Sequence, residues 1–393
     1  GVVLAKIDGC TVITRVMPNS PAERVGLRAG DKIAVVDKTE VVGESLDKII
    51  SLIKGNKGTQ ITLGIVRNGS KDLISVTTYR DTIRINPVTY EIRNGIGYIA
   101  IESFNSNTYA SFREALDYMD AHRVDRLILD LRNNTGGEVD QAVAVARHLV
   151  PEGIITRLDF KSPDFEDTTY TSNLKNPRYK LAVLVNGMTA SASEILAGAV
   201  QDTKAGFLVG TKTFGKARVQ NVFPLLTPEA AEKYSRMMGR KVVSADEVNG
   251  DVREDEIAGY AKITVATYTT PAGRMIDMQG LTPDYPVADH GLVKDIYVNN
   301  VMKLSLTDKP GLNGEGLDVY NAEKILRLSG YDVDLPDTHL DAKTFNAIAQ
   351  YQKSVGLGAY GVLDFSTQKS LNERLESLWL EIDKQYARAV ELL

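Results

Sequence analysis

The sequence predicts a multidomain protein whose central domain is of the α/β class. A small β module precedes this domain and a small helical domain follows it, so the chain as a whole is α+β. Residues 1–82 alternate in short apolar runs separated by Gly, Asn and Asp, a pattern typical of a mostly β module. Residues 83–307 alternate strand-like apolar runs with segments of helical spacing, which predicts a sheet covered by helices. Residues 308–393 are mostly helical in pattern, and the stretch "DKPGLNG" marks where they start.

The first part contains signals for two helices. Ser20 before Pro21 predicts a capped short helix that Gly26 closes, because proline lacks the donor that the first helical position leaves unused. Residues 45–55, "SLDKIISLIKG", place their apolar side chains on one helical face. Within this stretch, "SLDK" (45–48) matches the Ser-x-x-Lys motif of penicillin-recognising enzymes. The companion Ser-x-Asn and Lys-Thr-Gly motifs do not accompany it, and we regard the match as chance.

The middle part contains four apolar runs that predict buried strands. They are "GIGYIAI" (95–101), "RLILDLR" (126–132), "KLAVLVN" (180–186) and "AGFLVGT" (205–211). Two turns rich in small residues, "NNTGGE" and "MTASASE", fall where such strands lead into helices. Ligands on sheets of this kind bind where strands end and helices begin, so both turns point to a functional site. The charged, helix-prone residues 228–259 interrupt two strand-like pieces and predict an inserted helical cap.

Composition narrows the classes of function. The net charge of -5 offers no basic face for nucleic acid, and no apolar stretch approaches the roughly 20 residues that span a bilayer. A single cysteine, Cys10, excludes an internal disulfide and a zinc site of several thiolates, and the four histidines have no ligand spacing. We therefore expect no metal and no cofactor. Because the chain opens with Gly1 and not Met, we expect a processed or trimmed form that has lost its targeting segment.

Ser191 is the candidate nucleophile. It follows a strand and precedes a helix, where the first backbone N–H groups lack partners within the helix and can receive an anion. The small neighbours Ala190 and Ala192 leave room for a substrate backbone. The alternative is plain helix capping by Ser193, with Ser191 only structural.

The Gly-Gly turn of "DLRNNTGGEV" (130–139) offers a second donor, since glycine lets the backbone approach a ligand without a Cβ in the way. Such a pair of N–H groups is what acyl transfer requires of an oxyanion site. Tight turning alone is the alternative explanation of this stretch.

A serine nucleophile also needs a base. The sequence around Ser191 is not the Gly-x-Ser-x-Gly of α/β-hydrolases, and His290 would serve only by coincidence of the fold. Lys216 in "GTKTFGKARVQ" is the other candidate, provided that burial keeps its amine neutral. Gln220 lies four residues further on, and one helical turn would place its amide beside the amine. A strand would separate the two by roughly 13 Å, so this mechanism predicts a helical turn.

These residues resemble the carboxy-terminal processing proteases. The likeness extends over residues 1–287 and rests on "ASASEI", "TFGKARVQ", "LRNNTGG" and "YTTPAGRMIDMQGLTPD". The resemblance implies a serine endopeptidase with a crotonase/ClpP-like core and a Ser-Lys dyad. Two departures stand out: Thr135 replaces the usual proline before Gly-Gly, and the 228–259 insertion is longer than in typical members.

The same resemblance assigns roles by position. Ser191 would be the nucleophile, Lys216 the general base and Gln220 its orienting partner. The backbone N–H groups of Gly137 and Ala192 would form the oxyanion hole. It also implies an extracytoplasmic, homodimeric enzyme that acts on protein tails.

Two further resemblances concern the ends of the chain. "SPAERVGLRAGDKI" resembles a bacterial protease-associated PDZ domain, which implies that a peptide C-terminus adds as a strand beside the second helix. Its carboxylate loop would be residues 1–4, where Val3 departs from the usual Gly-x-Gly; a rigid spacer is the alternative. The last part contains a short internal repeat, "LDAKT" and "LDFST", and resembles the peptidoglycan-binding domain of cell-wall enzymes. The alternative to wall binding is a role in packing or dimerisation.

Two other functions remain open at this point. A wall-associated scaffold would bind peptides without cleaving them. A crotonase-type acyl-CoA enzyme would share the core fold but would need neither Lys216 nor a PDZ domain.

Overall fold

The computed structural model describes residues 1–17, 20–67, 72–83, 86–163, 165–248 and 250–393, so Asn249 of the 228–259 segment lies outside the described residues. The chain divides into two compact units. The first combines residues 1–85 with 289–387, and the second combines residues 86–288 with 388–393.

The N-terminal part of the first unit is a β module with two helices. Its elements are β1 (Val2–Ile7), β2 (Cys10–Val16), α1 (Pro21–Arg24), β3 (Lys32–Val36), β4 (Thr39–Glu40), α2 (Leu46–Ile53), β5 (Gln60–Val66) and β6 (Ile74–Tyr79). The sheet order is β1-β2-β3-β5-β6, with β4 paired to β3, so one edge of β1 carries no neighbouring strand within the described residues. Ser20 caps α1 by accepting from the N–H of Glu23, and Gly26 follows with φ +74°, as the sequence predicts.

The second unit is the α/β core. Its elements are β7 (Val88–Arg93), β8 (Ile96–Ile101), α3 (Thr108–Ala121), β9 (Arg126–Asp130), α4 (Val139–Ala146), β10 (Gly153–Phe160), β11 (Thr168–Ser172), β12 (Lys180–Val185), α5 (Ala192–Asp202), β13 (Gly206–Gly210), β14 (Arg218–Leu226), α6 (Pro228–Met238), β15 (Ile257–Thr269) and β16 (Tyr285–Pro286). One sheet has the order β16-β13-β12-β9-β8-β7, and a second has the order β11-β10-β15-β14. In the first sheet only the β7–β8 pair is antiparallel.

The four predicted core strands are therefore β8, β9, β12 and β13. Leu127, Ile128 and Leu129 of β9 are fully buried, as expected for a strand covered on both faces. The helices α3, α4 and α5 pack with these strands into one apolar core. The predicted α/β fold class is confirmed.

The segment between β14 and β15 holds α6 and two short 3₁₀ turns, Ala245–Glu247 and Glu254–Glu256. It has a small core of its own, in which Leu226 packs with Ala230, Tyr234 and Val242. The buried carboxylate of Glu256 joins the segment to α6 through hydrogen bonds from Lys233 and Tyr234.

The last part of the chain is helical, with α7 (Leu317–Leu328), α8 (Ala342–Ser354), α9 (Phe365–Ile382) and α10 (Lys384–Leu392). The two similar stretches "LDAKT" and "LDFST" each supply the N-cap of a helix. Asp341 accepts the N–H of Thr344 at the start of α8, and Asp364 accepts the N–H of Thr367 at the start of α9. No helix in the described part of the chain is long and apolar enough to cross a bilayer.

Within the first unit, α7 packs on the β module. Leu317 and Tyr320 of α7 contact the side of the sheet formed by Ile7 and Val12. An ion pair borders this contact, with Lys32 Nζ 2.6 Å from an oxygen of Glu315. The N-terminal module and the helical domain therefore form one compact unit.

Candidate active site

Three turns meet at one edge of the core sheet. The strands β9, β12 and β13 are parallel neighbours, so the turns that follow Asp130, Val185 and Gly210 lie side by side. Side-chain bonds join the first two turns. The N–H of Asn133 donates to Asn186 Oδ1 at 3.0 Å, and Asn186 Nδ2 donates to Asn133 Oδ1 at 2.9 Å. The two turns that the sequence singled out therefore lie together.

Ser191 stands at the junction between β12 and α5 in a backbone conformation unusual for a residue with a Cβ, with φ +58° and ψ -121°. Such a conformation costs of order 1–3 kcal/mol and persists only where the surroundings enforce it. Ser191 is half-buried and lines a cleft of about 880 Å³ that Gly137, Lys216 and Gln220 also line. Ala192 is fully buried.

The buried carboxylate of Glu194 joins the serine turn to the lysine turn. Its Oε2 accepts the N–H of Ser191 at 3.0 Å and the N–H of Lys216 at 2.8 Å. Its Oε1 accepts the hydroxyl of Thr213 and the N–H of Gly215. One side chain therefore fixes the backbone of both predicted catalytic residues.

The hydroxyl of Tyr268 joins the same two residues through their carbonyls. It lies 2.9 Å from the carbonyl oxygen of Ser191 and 2.8 Å from that of Lys216. Burial, followed by the nearby carboxylates of Glu194 and Asp277, raises the pKa of Tyr268 well above its ordinary value, so the hydroxyl keeps its proton.

Lys216 is half-buried and is held by the turn that precedes it. Gly215 has φ +86°, and a Cβ there would stand 2.6 Å from the N of Gly280, so only glycine fits. On the other side, Asp277 accepts the N–H of Ala217 and the guanidinium of Arg218. The position of Lys216 is thereby set from both directions.

The predicted helical turn between Lys216 and Gln220 is wrong. Gln220 lies on β14, which pairs with β15 over its whole length and has a bulge between Val219 and Gln220. The ladder with β15 satisfies the backbone along β14, and this long-range pairing overrides the local pattern. Lys216 and Gln220 nevertheless line the same cleft.

The two glycines of the first turn have different surroundings. The N–H of Gly136 donates to Asn134 Oδ1 at 2.9 Å, and a Cβ on Gly136 would stand 2.7 Å from the Cβ of Ser191. Gly137 has φ +143°, and a Cβ there would stand 2.0 Å from the carbonyl oxygen of Phe104. Both positions therefore require glycine.

Two backbone donors near the serine are unused. Among the described residues, the N–H groups of Gly137 and Ala192 have no hydrogen-bond partner. Gly136 differs, because Asn134 occupies its N–H. The resemblance assigns the oxyanion hole to the same two N–H groups, and that role stays a prediction.

Ser193 does not cap its own helix. Its fully buried hydroxyl donates to the carbonyl of Asn134 at 3.1 Å and ties α5 to the Gly-Gly turn. Sequence reasoning missed Glu194 and Tyr268. The Ser-x-x-Glu spacing of Ser191 and Glu194 is a capping-box signal that could have indicated Glu194. Tyr268 is the first residue of the quoted stretch "YTTPAGRMIDMQGLTPD", but nothing local indicated what its hydroxyl binds.

No histidine is among the described residues that line the cleft. His290 belongs to the other unit, where its ring stacks on Tyr297 and lies near Asp289 and Asp383. Among the residues that the structure describes, no three His, Cys, Asp or Glu side chains are grouped so as to hold a metal ion.

Three stretches of the chain match protein-family models. Residues 95–287 match "Peptidase family S41", residues 12–67 match "PDZ domain", and residues 315–371 match "Putative peptidoglycan binding domain". The first match contains every residue of the cleft described above.

The chain is also similar to individual proteins. It is 28% identical to the carboxy-terminal processing protease CtpA of Bacillus subtilis, over 100% of this chain and 76% of that protein. It is 29% identical to a probable CtpA-like serine protease of Staphylococcus epidermidis, over 92% of this chain and 67% of that protein. A solved structure of the photosystem II D1 C-terminal processing protease is 30% identical, with a TM-score of 0.41, and the match covers 73% of this chain and 72% of that one.

Proposed function

Because the chain belongs to peptidase family S41, we propose that it is a carboxy-terminal processing endopeptidase in which Ser191 and Lys216 act as a catalytic dyad. One observation carries the proposal: Glu194 and Tyr268 hold the backbones of Ser191 and Lys216 together at the cleft.

The reaction proceeds through an acyl-enzyme. The neutral amine of Lys216 takes the proton of Ser191 Oγ as that oxygen attacks the scissile carbonyl carbon. The free N–H groups of Gly137 and Ala192 donate to the resulting oxyanion. Lys216 then gives that proton to the leaving amine as the peptide C–N bond breaks. In the second half it takes a proton from the water that attacks the ester and gives it to Ser191 Oγ as the ester C–O bond breaks, which restores the free serine and the neutral amine. The amide of Gln220, which lines the cleft from β14, orients the amine.

Substrate tails are recruited by the PDZ domain. In this mode a peptide C-terminus adds as a strand to a free sheet edge, and β1 offers such an edge within the described residues. The relatives' names support a C-terminal tail as the recognised feature. The peptidoglycan-binding domain would hold the enzyme at the cell wall, as an extracytoplasmic homodimer.

The dyad is tested with the full chain and β-casein, a flexible substrate. We expect Ser191→Ala and Lys216→Ala to lower cleavage at least about a hundredfold, with unchanged thermal unfolding, because each removes a group that acts in the transition state. Lys212→Ala, which removes a lysine from the same turn, is the matched control and should cleave normally. Undiminished cleavage by Lys216→Ala would exclude the dyad.

Tail recognition and wall binding have separate tests. A peptide with a free C-terminal carboxylate should be cleaved faster than the same peptide with a C-terminal amide, and equal rates would exclude capture of the carboxylate. Sedimentation with purified peptidoglycan tests the wall role. Peptidoglycan binding without any cleavage of casein would favour the peptide-binding scaffold.

A further inference from the structure

The hydroxyl of Tyr268 lies between two carbonyl oxygens of different turns. Its distances to Ser191 O and Lys216 O are nearly equal, at 2.9 and 2.8 Å. A phenol has one proton to donate, so both carbonyls share it. Ser191 and Tyr268 are 77 residues apart in sequence, and Lys216 and Tyr268 are 52 apart, so the hydroxyl connects three separate segments.

The hydroxyl has a fixed position because the core holds the whole residue. Tyr268 lies on β15, opposite Leu158 of β10, and its side chain is almost completely buried. Its N–H donates to the carbonyl of Ala217, the residue after Lys216. A side chain packed in this way offers little freedom to the groups that it binds.

The two carbonyls depend on Tyr268 to different degrees. The carbonyl of Ser191 also accepts the N–H groups of Glu194 and Ile195. For the carbonyl of Lys216, the described part of the chain supplies Tyr268 as donor and no other. Loss of the hydroxyl would therefore leave the Lys216 carbonyl without a donor, while the Lys216 N–H stays bound to Glu194 and the Ser191 carbonyl keeps its two backbone donors.

We propose that Tyr268 is a positioning residue that sets the distance between the Lys216 amine and the Ser191 hydroxyl by bridging the two backbone carbonyls. This inference rests on the proposed Ser191–Lys216 dyad. The atom of a general base must come within about 3 Å of the oxygen whose proton it takes, and a displacement of about 1 Å can cost a hundredfold in rate. Tyr268 acts through Lys216 and has no chemical step of its own.

The test is Tyr268→Phe in the full chain, which removes the hydroxyl and keeps the ring. Initial rates are measured on a quenched fluorescent peptide built around a β-casein site that the wild type cleaves. We expect kcat per folded molecule to fall about 10- to 100-fold while KM stays within about twofold of wild type, since only the geometry of the dyad changes. The folded fraction is taken from circular dichroism at the assay temperature.

Tyr351→Phe is the matched control. Tyr351 is also buried, and its hydroxyl is hydrogen-bonded to Ser370 in the helical domain. It should keep the wild-type kcat, so a similar loss in both variants would overturn the proposal. A purely structural role predicts fewer folded molecules with unchanged kcat per folded molecule, and a role in substrate binding predicts a raised KM. Either result would also overturn it.

The dyad variants separate this inference from the function on which it rests. If Ser191→Ala and Lys216→Ala are inactive and Tyr268→Phe is normal, the positioning role fails and the dyad stands. If Lys216→Ala is fully active, the dyad fails and the positioning role fails with it.

Discussion

Glu194 Oε2 accepts the backbone N–H of Ser191 at 3.0 Å, one turn of helix away, where Ser191 has φ +58°. The bond satisfies a donor at the start of α5 and holds the serine in a conformation that residues with a Cβ seldom adopt. The same carboxylate accepts three further donors from Thr213, Gly215 and Lys216. Glu194 is therefore an acceptor that a neutral amide cannot replace.

We expect Glu194→Gln to destabilise the protease core by about 2–4 kcal/mol, because the amide nitrogen would face two N–H or O–H donors that it cannot accept. Casein cleavage should fall by more than about tenfold as the serine turn relaxes. Urea unfolding followed by circular dichroism measures the first effect. Glu232→Gln, on the exposed face of α6, is the control, and equal stability of the two variants would contradict the structural role of Glu194.

Gly136→Ala should abolish cleavage. A Cβ at this position would meet the Cβ of Ser191 at 2.7 Å and the N of Ala192 at 3.0 Å, so Ser191, the proposed nucleophile, would have to move. Gly153→Ala is a matched control, because Gly153 also has a positive φ, of +142°, yet a Cβ there meets nothing within 4 Å. Both variants carry backbone strain, and only the first carries the clash. Comparable cleavage by the two would contradict the contact between Gly136 and Ser191.

Local pattern was enough to predict the strands of the core and the turns that carry Ser191 and Gly137. Each of these signals lies within about ten residues, where periodicity and small residues report directly on structure. Tyr268 could not be found in this way, because its role depends on contacts with residues 52 and 77 positions away. The helical turn predicted for Gln220 failed for the same reason, since pairing with β15 decided the conformation of β14.

The packing of the N-terminal β module against the C-terminal helical domain could not be predicted from the sequence pattern either. The patterns of residues 1–82 and 308–393 predict two domains but no contact between them, whereas Leu317 and Tyr320 of α7 pack against Ile7 and Val12 of the β module. An apolar residue on a helix face does not reveal which distant surface covers it. Deleting the PDZ domain would therefore uncover α7 as well as remove the proposed tail-binding site.

A charge reversal in the Lys32–Glu315 ion pair should weaken that packing without deleting a domain. Both side chains are mostly buried, and we expect Lys32→Glu to destabilise the first unit by about 1 kcal/mol. The double reversal Lys32→Glu with Glu315→Lys should recover most of the loss, as measured by a double-mutant cycle in urea. Fluorescence of Trp379, the single tryptophan, reports on this unit because it is buried in α9.

The exposed Lys57–Asp81 pair provides the comparison for that cycle. Its reversal should leave the unfolding free energy almost unchanged, because solvent screens the charges. If the Lys32 variant behaved like this control, the ion pair would contribute nothing to the packing of α7 on the β module.

The buried carboxyl of Glu323 should make the stability of the helical domain depend on pH. Burial on α7 raises the pKa of this carboxyl to about 8, against the lowering effect of hydrogen bonds from Thr344 and the N–H of Asp337. The folded protein therefore holds this proton up to about pH 8, whereas the unfolded chain releases it near the ordinary value of 4.5. Since the folded state binds more protons between these values, this carboxyl's contribution to stability is full below pH 4.5 and falls as the pH rises to 8.

Glu323→Gln should remove this fall. The amide oxygen can accept the N–H of Asp337 and the amide nitrogen can donate to Thr344, so both bonds survive without a buried charge. We expect the midpoint of the Trp379 transition to decrease between about pH 5 and 8 in the wild type and in the control Glu373→Gln, which lies outside the buried site. In Glu323→Gln it should stay nearly constant and exceed the wild type at about pH 8. A slope equal to that of the wild type would assign the pH dependence to other groups.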